Sequence, residues 1–209
     1  MVKQQNYELY TLTATYGQRP ERRELACAKK LSEWLGSREL RIVDLRFLRD
    51  FGGSALFEDE KLTPANNDRE YVPFRNTVLL SIGVAWAEAM NGNAVSIGSN
   101  ADDVYCPDNT MDYVGAMQQV VFHGSKKKDI QILAPLREHG YGKVEIVKIG
   151  MKLGFPFEHT WACFNSDEEA CGECNNCINR YLAFKKAGFT DPLSYTVIPK
   201  VDLTKRVIV

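Results

Sequence analysis

Hydrophobic and polar positions along the chain fall into two rhythms that alternate. Residues 7–15 interleave aromatic and β-branched side chains as a strand does. Turn chemistry follows at Tyr16-Gly17-Gln18-Arg19-Pro20, and Leu25, Ala28, Leu31 and Leu35 then recur near helical period across residues 21–35, with Gly36 as the stop. Residues 40–45 predict a second strand. Residues 52–70, opening on Gly52-Gly53-Ser54, are polar and turn-rich, a long excursion of the kind that carries function or stays mobile. Val72-Pro73-Phe74-Arg75-Asn76 introduces a helix to about residue 90, in which Val78, Leu79, Ile82, Ala85, Trp86 and Ala89 make a broad apolar face. Asn91-Gly92 stops it. Residues 94–98 read as a strand that runs into the polar loop Ser99-Asn100-Ala101-Asp102-Asp103, the position where open α/β sheets place their ligands. A helix over 111–122, a strand over 130–133 closed by Pro135, a helix over 143–153 and another from about 178 to 186 complete the pattern. The tail beyond shows no rhythm.

Four strands alternating with helices predict an α/β fold, a doubly wound and mainly parallel sheet. The simplest division is an α/β domain over residues 1–155 and a C-terminal metal-binding segment and tail over 156–209. No internal repeat, low-complexity tract or linker interrupts it.

The totals narrow the function more than the fold. With 209 residues, 44% of them hydrophobic, there is apolar material for one sizeable core. The formal charge of −1, from 26 basic and 27 acidic side chains, gives no electrostatic reason to expect nucleic-acid or membrane binding, so a small-molecule substrate is favoured. The runs at residues 19–23 and 126–128 read as solvated faces. No apolar stretch reaches membrane-spanning length, and the first six residues lack the apolar core of a signal peptide. A cytoplasmic protein is expected.

The strongest chemical signal lies near the C-terminus. Four of the six cysteines, Cys163, Cys171, Cys174 and Cys177, fall in a short window with C-x2-C-x2-C spacing, so four sulfurs are able to converge on one point. Such a set suits tetrahedral Zn2+, and Gly172 sits where a tight knuckle must bend back around the ion. Two disulfides, four free thiols and an iron–sulfur cluster are the competing readings. The intracellular character argues against disulfides, and the absence of the ferredoxin continuation to a fourth Cys and Pro argues against iron–sulfur. With four protein ligands and no open position, a zinc ion here is structural.

Several short motifs then line up. Tyr16-Gly17-Gln18-Arg19, Gly52-Gly53-Ser54-Ala55-Leu56, Val72-Pro73-x-Arg75-Asn76, Asn100-Ala101-x-Asp103, Pro107-Asp108, Lys143-x-Glu145-Ile146-Val147 and Thr160-Trp161-x-Cys163, followed by Cys171-Gly172-x-Cys174-x-x-Cys177-x-x-Arg180, resemble in order and spacing the 7-cyano-7-deazaguanine synthase family. The likeness runs from about residue 7 to 187. It implies a nucleotide-α-hydrolase-like domain of the ATP pyrophosphatase superfamily, acting as an ATP-dependent carbon–nitrogen ligase. Such enzymes adenylate 7-carboxy-7-deazaguanine with ATP and Mg2+, admit ammonia to form the amide, and activate that amide with a second ATP to reach the nitrile. Adenylation is needed because a carboxylate's own leaving group is too basic. The resemblance also implies a homodimer and places the product in queuosine, archaeosine or deazaguanine nucleic-acid modification, without direct nucleic-acid contact.

By the same resemblance Tyr16, Gln18, Arg19, Arg75, Asn76, Asn100, Asp102 and Asp103 contact substrate or nucleotide, and Asp108 and Lys143 are catalytic. Their chemistry allows this. Arg75 and Asn76 open a helix where an anion could sit, against the plainer reading of a capping pair. Asn100, Asp102, Asp103 and Asp108 follow a strand and could hold Mg2+ or the edge of the base, against turn formation. Lys143 could offset phosphate charge, against a solvated lysine in a first helical turn. His123, His139 and His159 share no spacing. Cys27 reads as core, and Cys106 as a loop cysteine, with sulfur transfer disfavoured because nothing basic lies beside it.

The chain departs from the family in a major way. The Ser-Gly-Gly-x-Asp-Ser phosphate loop expected after a first strand is not in the sequence, and residues 7–15 correspond to the family's second strand, so about 20 residues of a strand–helix unit are lacking. Gly52-Gly53-Ser54 follows no strand and lacks the Asp-Ser continuation. The expectation is a truncated or mis-started copy of a complete synthase, with a non-catalytic deazaguanine-binding or partner protein as the alternative. Thr15, Pro20 and Thr110 stand where the family has aspartate, histidine and arginine.

Overall fold

Period-two segments pair in parallel, and the helices between them make the crossovers that parallel pairing requires. The computed structural model describes residues 7–201 apart from Asp59 and Val104. Residues 1–6 and 202–209, the two ends of the expected domains, lie outside the described residues. The chain divides into two compact units, one built from residues 74–142 and the other from residues 7–73 together with 143–201.

In the second of these, β1 (Thr11–Thr15) pairs in parallel with β2 (Leu40–Asp44) across helix α1 (Glu21–Leu35). Gly36 ends α1 in a left-handed conformation, as its sequence position predicts. A short helix, α2 (Phe47–Phe51), and a 3-10 turn over Pro64–Glu70 lie in what the sequence presents as irregular chain. Thr63 caps that turn by accepting from the Ala65 amide, 3.3 Å.

The 74–142 unit carries α3 (Arg75–Ala89), β3 (Ala94–Ser96), α4 (Met111–Gly124), β4 (Gln131–Leu133) and α5 (Pro135–Glu138). Pro135 does close β4, and it also opens α5, since its missing N–H is one a first helical turn leaves unpaired anyway. Strand β3 pairs in parallel with β4, and Leu80, Val114, Met117, Val121, Ile130 and Ile132 form the core between the pair and the two long helices.

The α/β class with parallel strands is as expected. Among the described residues each unit holds one parallel pair, β1 with β2 and β3 with β4. The bonds Thr11 N to Glu39 O and Thr15 O to Leu45 N turn the backbone of Leu12 and Ala14 away from β2; Asn93 O to Gln131 N and Ile97 N to Leu133 O likewise turn that of Ala94 and Ser96 away from β4. Among the described residues no further strand pairs on those edges. The outer side of β4 is closed differently. There the Gln118 side chain donates to Ile130 O, 2.9 Å, and accepts from Ile132 N, 2.8 Å, standing in for a neighbouring strand.

Helices α6 (Lys143–Lys152) and α7 (Asn175–Ala187) return the chain to the 7–73 unit. They bury Val147, Phe157, Ala183 and Phe184, and edge-to-face ring contacts link Trp34, Phe155, Phe157 and Phe184. Arg180 on α7 donates to both carboxylate oxygens of Asp191, and Tyr195 donates to Asp191 at 2.6 Å. That buried group fastens the segment after α7.

Candidate functional site

The cysteine window folds into one centre. Trp161 Nε1 donates to the carbonyls of Cys163 and Ser166, 3.0 and 3.1 Å, closing the turn that carries the first sulfur, and the Arg23 guanidinium stacks on its ring. Cys171 precedes Gly172, whose φ of +77° is a left-handed conformation natural to glycine and strained for other residues. A Cβ at Gly172 would also collide with the Val197 carbonyl. Cys174 stands at the N-cap position of α7 without a side-chain capping bond, and Cys177 lies in the first turn. The four sulfurs lie within 4.8 Å of one another.

Tetrahedral zinc–thiolate bonds of about 2.3 Å put sulfurs about 3.8 Å apart, and Cys171 and Cys177 are at 4.0 Å. No disulfide joins any of the four. The Cys171 sulfur further accepts from the amides of Glu173 and Cys174, at 3.4 and 3.3 Å, and lies 3.6 Å from Asn165 Nδ2; Cys163 accepts from the Cys171 amide at 3.4 Å. Hydrogen bonds from Cys163, Cys174 and Cys177 drive the Cys171 thiol far below its ordinary range, and the same crowding pushes Cys174 and Cys177 up. A set of sulfurs in which only some can ionise is the condition that a divalent cation relieves. The donor set fits zinc, and it is the only group with metal-ligand convergence among the described residues.

The expected substrate residues fall into two places. In the 74–142 unit the chain enters α3 through Phe74, whose φ of +60° is a left-handed conformation unusual outside glycine. Behind it Asn76 gives both its backbone N–H and its Nδ2 to the Asp108 carboxylate, 3.0 and 3.2 Å, and Asp108 is buried. Asn109 Nδ2 reaches Asp103 at 3.4 Å, Asn100 Nδ2 reaches the same carboxylate at 2.5 Å, and Asn100 Oδ1 accepts from the Asp102 amide at 3.0 Å. Asn76, Asn100, Asp102, Asp103 and Asp108 are thus brought together, with Arg75 half-buried beside Asn76. Thr110, where the family has arginine, accepts from the Tyr113 amide at 3.1 Å and caps α4.

Sequence reasoning missed two supports of this cluster. Arg137 on α5 donates to Asn100 O at 2.6 Å and Asp103 O at 3.4 Å, and the backbone joins Ala101 to Tyr141 at 2.9 Å. A Cβ on Gly142 would lie 2.6 Å from the Asp102 carboxylate, so a larger residue there would have to displace that side chain. Neither residue belongs to a motif, and nothing in a single sequence marks them.

Tyr16, Gln18 and Arg19 lie in the other unit and serve its own chain. Gln18 accepts from Tyr16 N at 2.9 Å and donates to Glu24 at 2.9 Å, while Tyr16 packs edge-on against Phe57. Arg19 donates to Glu60 O at 2.5 Å and Ala55 O at 3.3 Å, holding the excursion. Lys143 is half-buried at the start of α6.

Against this geometry, the family model described as "Queuosine biosynthesis protein QueC" matches residues 1–188. The chain belongs to the QueC family. It is 37% identical over 201 residues to a protein of Acidobacterium capsulatum, covering 91% of this chain and 87% of that one. A protein of Oceanobacillus iheyensis is 38% identical over 200 residues, with 92% and 89% covered, and one of Trichodesmium erythraeum is 41% identical over 200 residues, with 89% and 88% covered. All three are named 7-cyano-7-deazaguanine synthase. No helix among the described residues of this QueC-family chain is long and apolar enough to cross a membrane.

Proposed function

We propose that the chain is a 7-cyano-7-deazaguanine synthase, an ATP-dependent ligase that converts 7-carboxy-7-deazaguanine and ammonia into the nitrile. The observation that carries this is the QueC match across residues 1–188, which takes in both the Asn76–Asp108 cluster and the four cysteines. Residues 1–155 carry the nucleotide and substrate chemistry and 156–209 the metal. The setting is cytoplasmic, and the working form is a homodimer.

In this reading Cys163, Cys171, Cys174 and Cys177 hold Zn2+, which supplies a structural cross-link and leaves no position for substrate. Asp103 and Asp108 are the carboxylates for ATP-bound Mg2+, and Asn100 and Asp102 read the edge of the deazaguanine. Asn76 holds Asp108 in place from the first turn of α3, and Arg75 meets an anionic group at the same helix end. Lys143 offsets phosphate charge. Tyr16, Gln18 and Arg19 are proposed as nucleotide contacts through the chain segments they order.

Incubation with ATP, Mg2+, ammonia and 7-carboxy-7-deazaguanine is expected to yield AMP and the nitrile, followed by mass spectrometry. Binding of the deazaguanine without AMP release would replace the synthase with a non-catalytic binding or partner protein. Absence of both binding and turnover would reject either.

A further inference from the structure

We propose that the four-cysteine centre also sets the order of the excursion at residues 52–70, and that Asn165 is the positioning residue through which it does so. The inference rests on the metal reading above. The excursion has little regular structure before its 3-10 turn, so side chains must satisfy much of its backbone. Leu62 in its middle is only 1% exposed. Its N–H donates to Asn165 Oδ1 at 2.9 Å, and its carbonyl accepts from Asn165 Nδ2 at 2.7 Å, so a single side-chain amide replaces a neighbouring strand. The pairing fixes the amide's direction, because only the oxygen is able to face the Leu62 N–H.

With that direction set, the same Nδ2 lies 3.6 Å from the Cys171 sulfur. Asn165 therefore touches a metal ligand and a buried loop backbone with one planar group. A bound ion fixes the Cys171 sulfur, the group that faces this N–H, in one position, so an occupied centre orients the amide that orients Leu62. The remaining link between the same parts is weaker. Lys61 and Glu173 pair at 2.6 Å, but both side chains are about half exposed, where ion pairs contribute little. At its far side the excursion is held by Arg19 through Ala55 O and Glu60 O, independently of the metal. Coupling of this kind is reciprocal: if the ion steadies Leu62, the Leu62–Asn165 pair strengthens retention of the ion.

The test is hydrogen–deuterium exchange on the full chain, with metal analysis and zinc release to a chromophoric chelator measured in parallel. Stripping the ion is expected to speed exchange of peptides spanning residues 54–66 by roughly tenfold or more, and reloading zinc should reverse it. Asn165→Ala should show that faster exchange with zinc still bound and should weaken zinc binding by about 10- to 100-fold, the usual effect of removing a ligand's hydrogen-bond partner. Asn165→Asp keeps the acceptor for the Leu62 N–H but loses the donor to both the Leu62 carbonyl and the sulfur, so its loop exchange should be faster from the start and no longer respond to chelation. Lys61→Ala should leave both readouts unchanged. Protection of 54–66 that is indifferent to chelation, or an effect of Lys61→Ala equal to that of Asn165→Ala, would overturn the coupling while leaving the metal reading intact. A purified chain without bound metal, and unable to take up zinc, would overturn both. Should Asn165→Ala fail to fold, Asn165→Asp and the chelation of the unmodified chain still decide the matter.

Discussion

Single residues in this chain matter most where a buried charged group is tied to several partners. Asp191 is the clearest case. Its side chain is 1% exposed, and its carboxylate accepts from Arg180 Nε and Nη2, from the Tyr195 hydroxyl and from the Leu193 amide. Replacing it with alanine leaves the mostly buried Arg180 guanidinium without its charge partner, though still bonded to Thr160 and Phe157 O, and a loss of about 3–5 kcal/mol is expected in denaturant unfolding. Burial, reinforced by the Asp191 hydrogen bond, pushes the Tyr195 hydroxyl well above its ordinary range. A group whose folded value is raised contributes stability that is present at lower pH and lost as pH rises, here above about pH 10. Melting temperatures should therefore fall more steeply between about pH 9 and 11 in the native chain than in Tyr195→Phe, where no hydroxyl ionises. Arg180 was legible as part of the cysteine motif, whereas Asp191 was not, because the two meet only when the chain past α7 turns back.

At the scale of elements, the two ends of β4 and of the cysteine knuckle show how a small device decides an edge or a bend. Gln118 closes the outer side of β4 from within α4. Gln118→Ala leaves one N–H and one carbonyl of that strand unpaired, with an expected loss of about 1–3 kcal/mol by urea unfolding and faster amide exchange at Ile132. Gly172→Ala combines a left-handed backbone with a collision against the Val197 carbonyl. A cost of at least about 1–2 kcal/mol in thermal unfolding is expected, together with release of the segment around Val197 to proteolysis. The bounds of α1, residues 21–35, follow its apolar period and glycine stop. Helix α2 and the 3-10 turn do not, since Phe47 and Phe51 are exposed and give no buried stripe to read. Helix α7 starts at Asn175, ahead of the period near residue 178, because Cys174 and Cys177 place their sulfurs from its first turn.

For the whole molecule, the fold class and the site come from different sources. Chelation of the proposed zinc should raise amide exchange in α7 and the cysteine window while β4 and α4 of the 74–142 unit keep theirs, because metal binding is folding energy only for the chain that supplies the ligands. Equal loss in both units would contradict this. The sequence by itself determined the alternation of strands and helices, the four-sulfur centre and the family, because periodicity and ligand spacing are local and the motifs keep their order along the chain. Tertiary structure alone decided that β1 pairs with β2 and β3 with β4, that Asn76 meets Asp108 across 32 residues, and that Asn165 ties Leu62 to Cys171. Such pairings depend on which backbone groups are left without partners once the helices pack, and that is set by the three-dimensional path of the chain, not by any residue type or spacing.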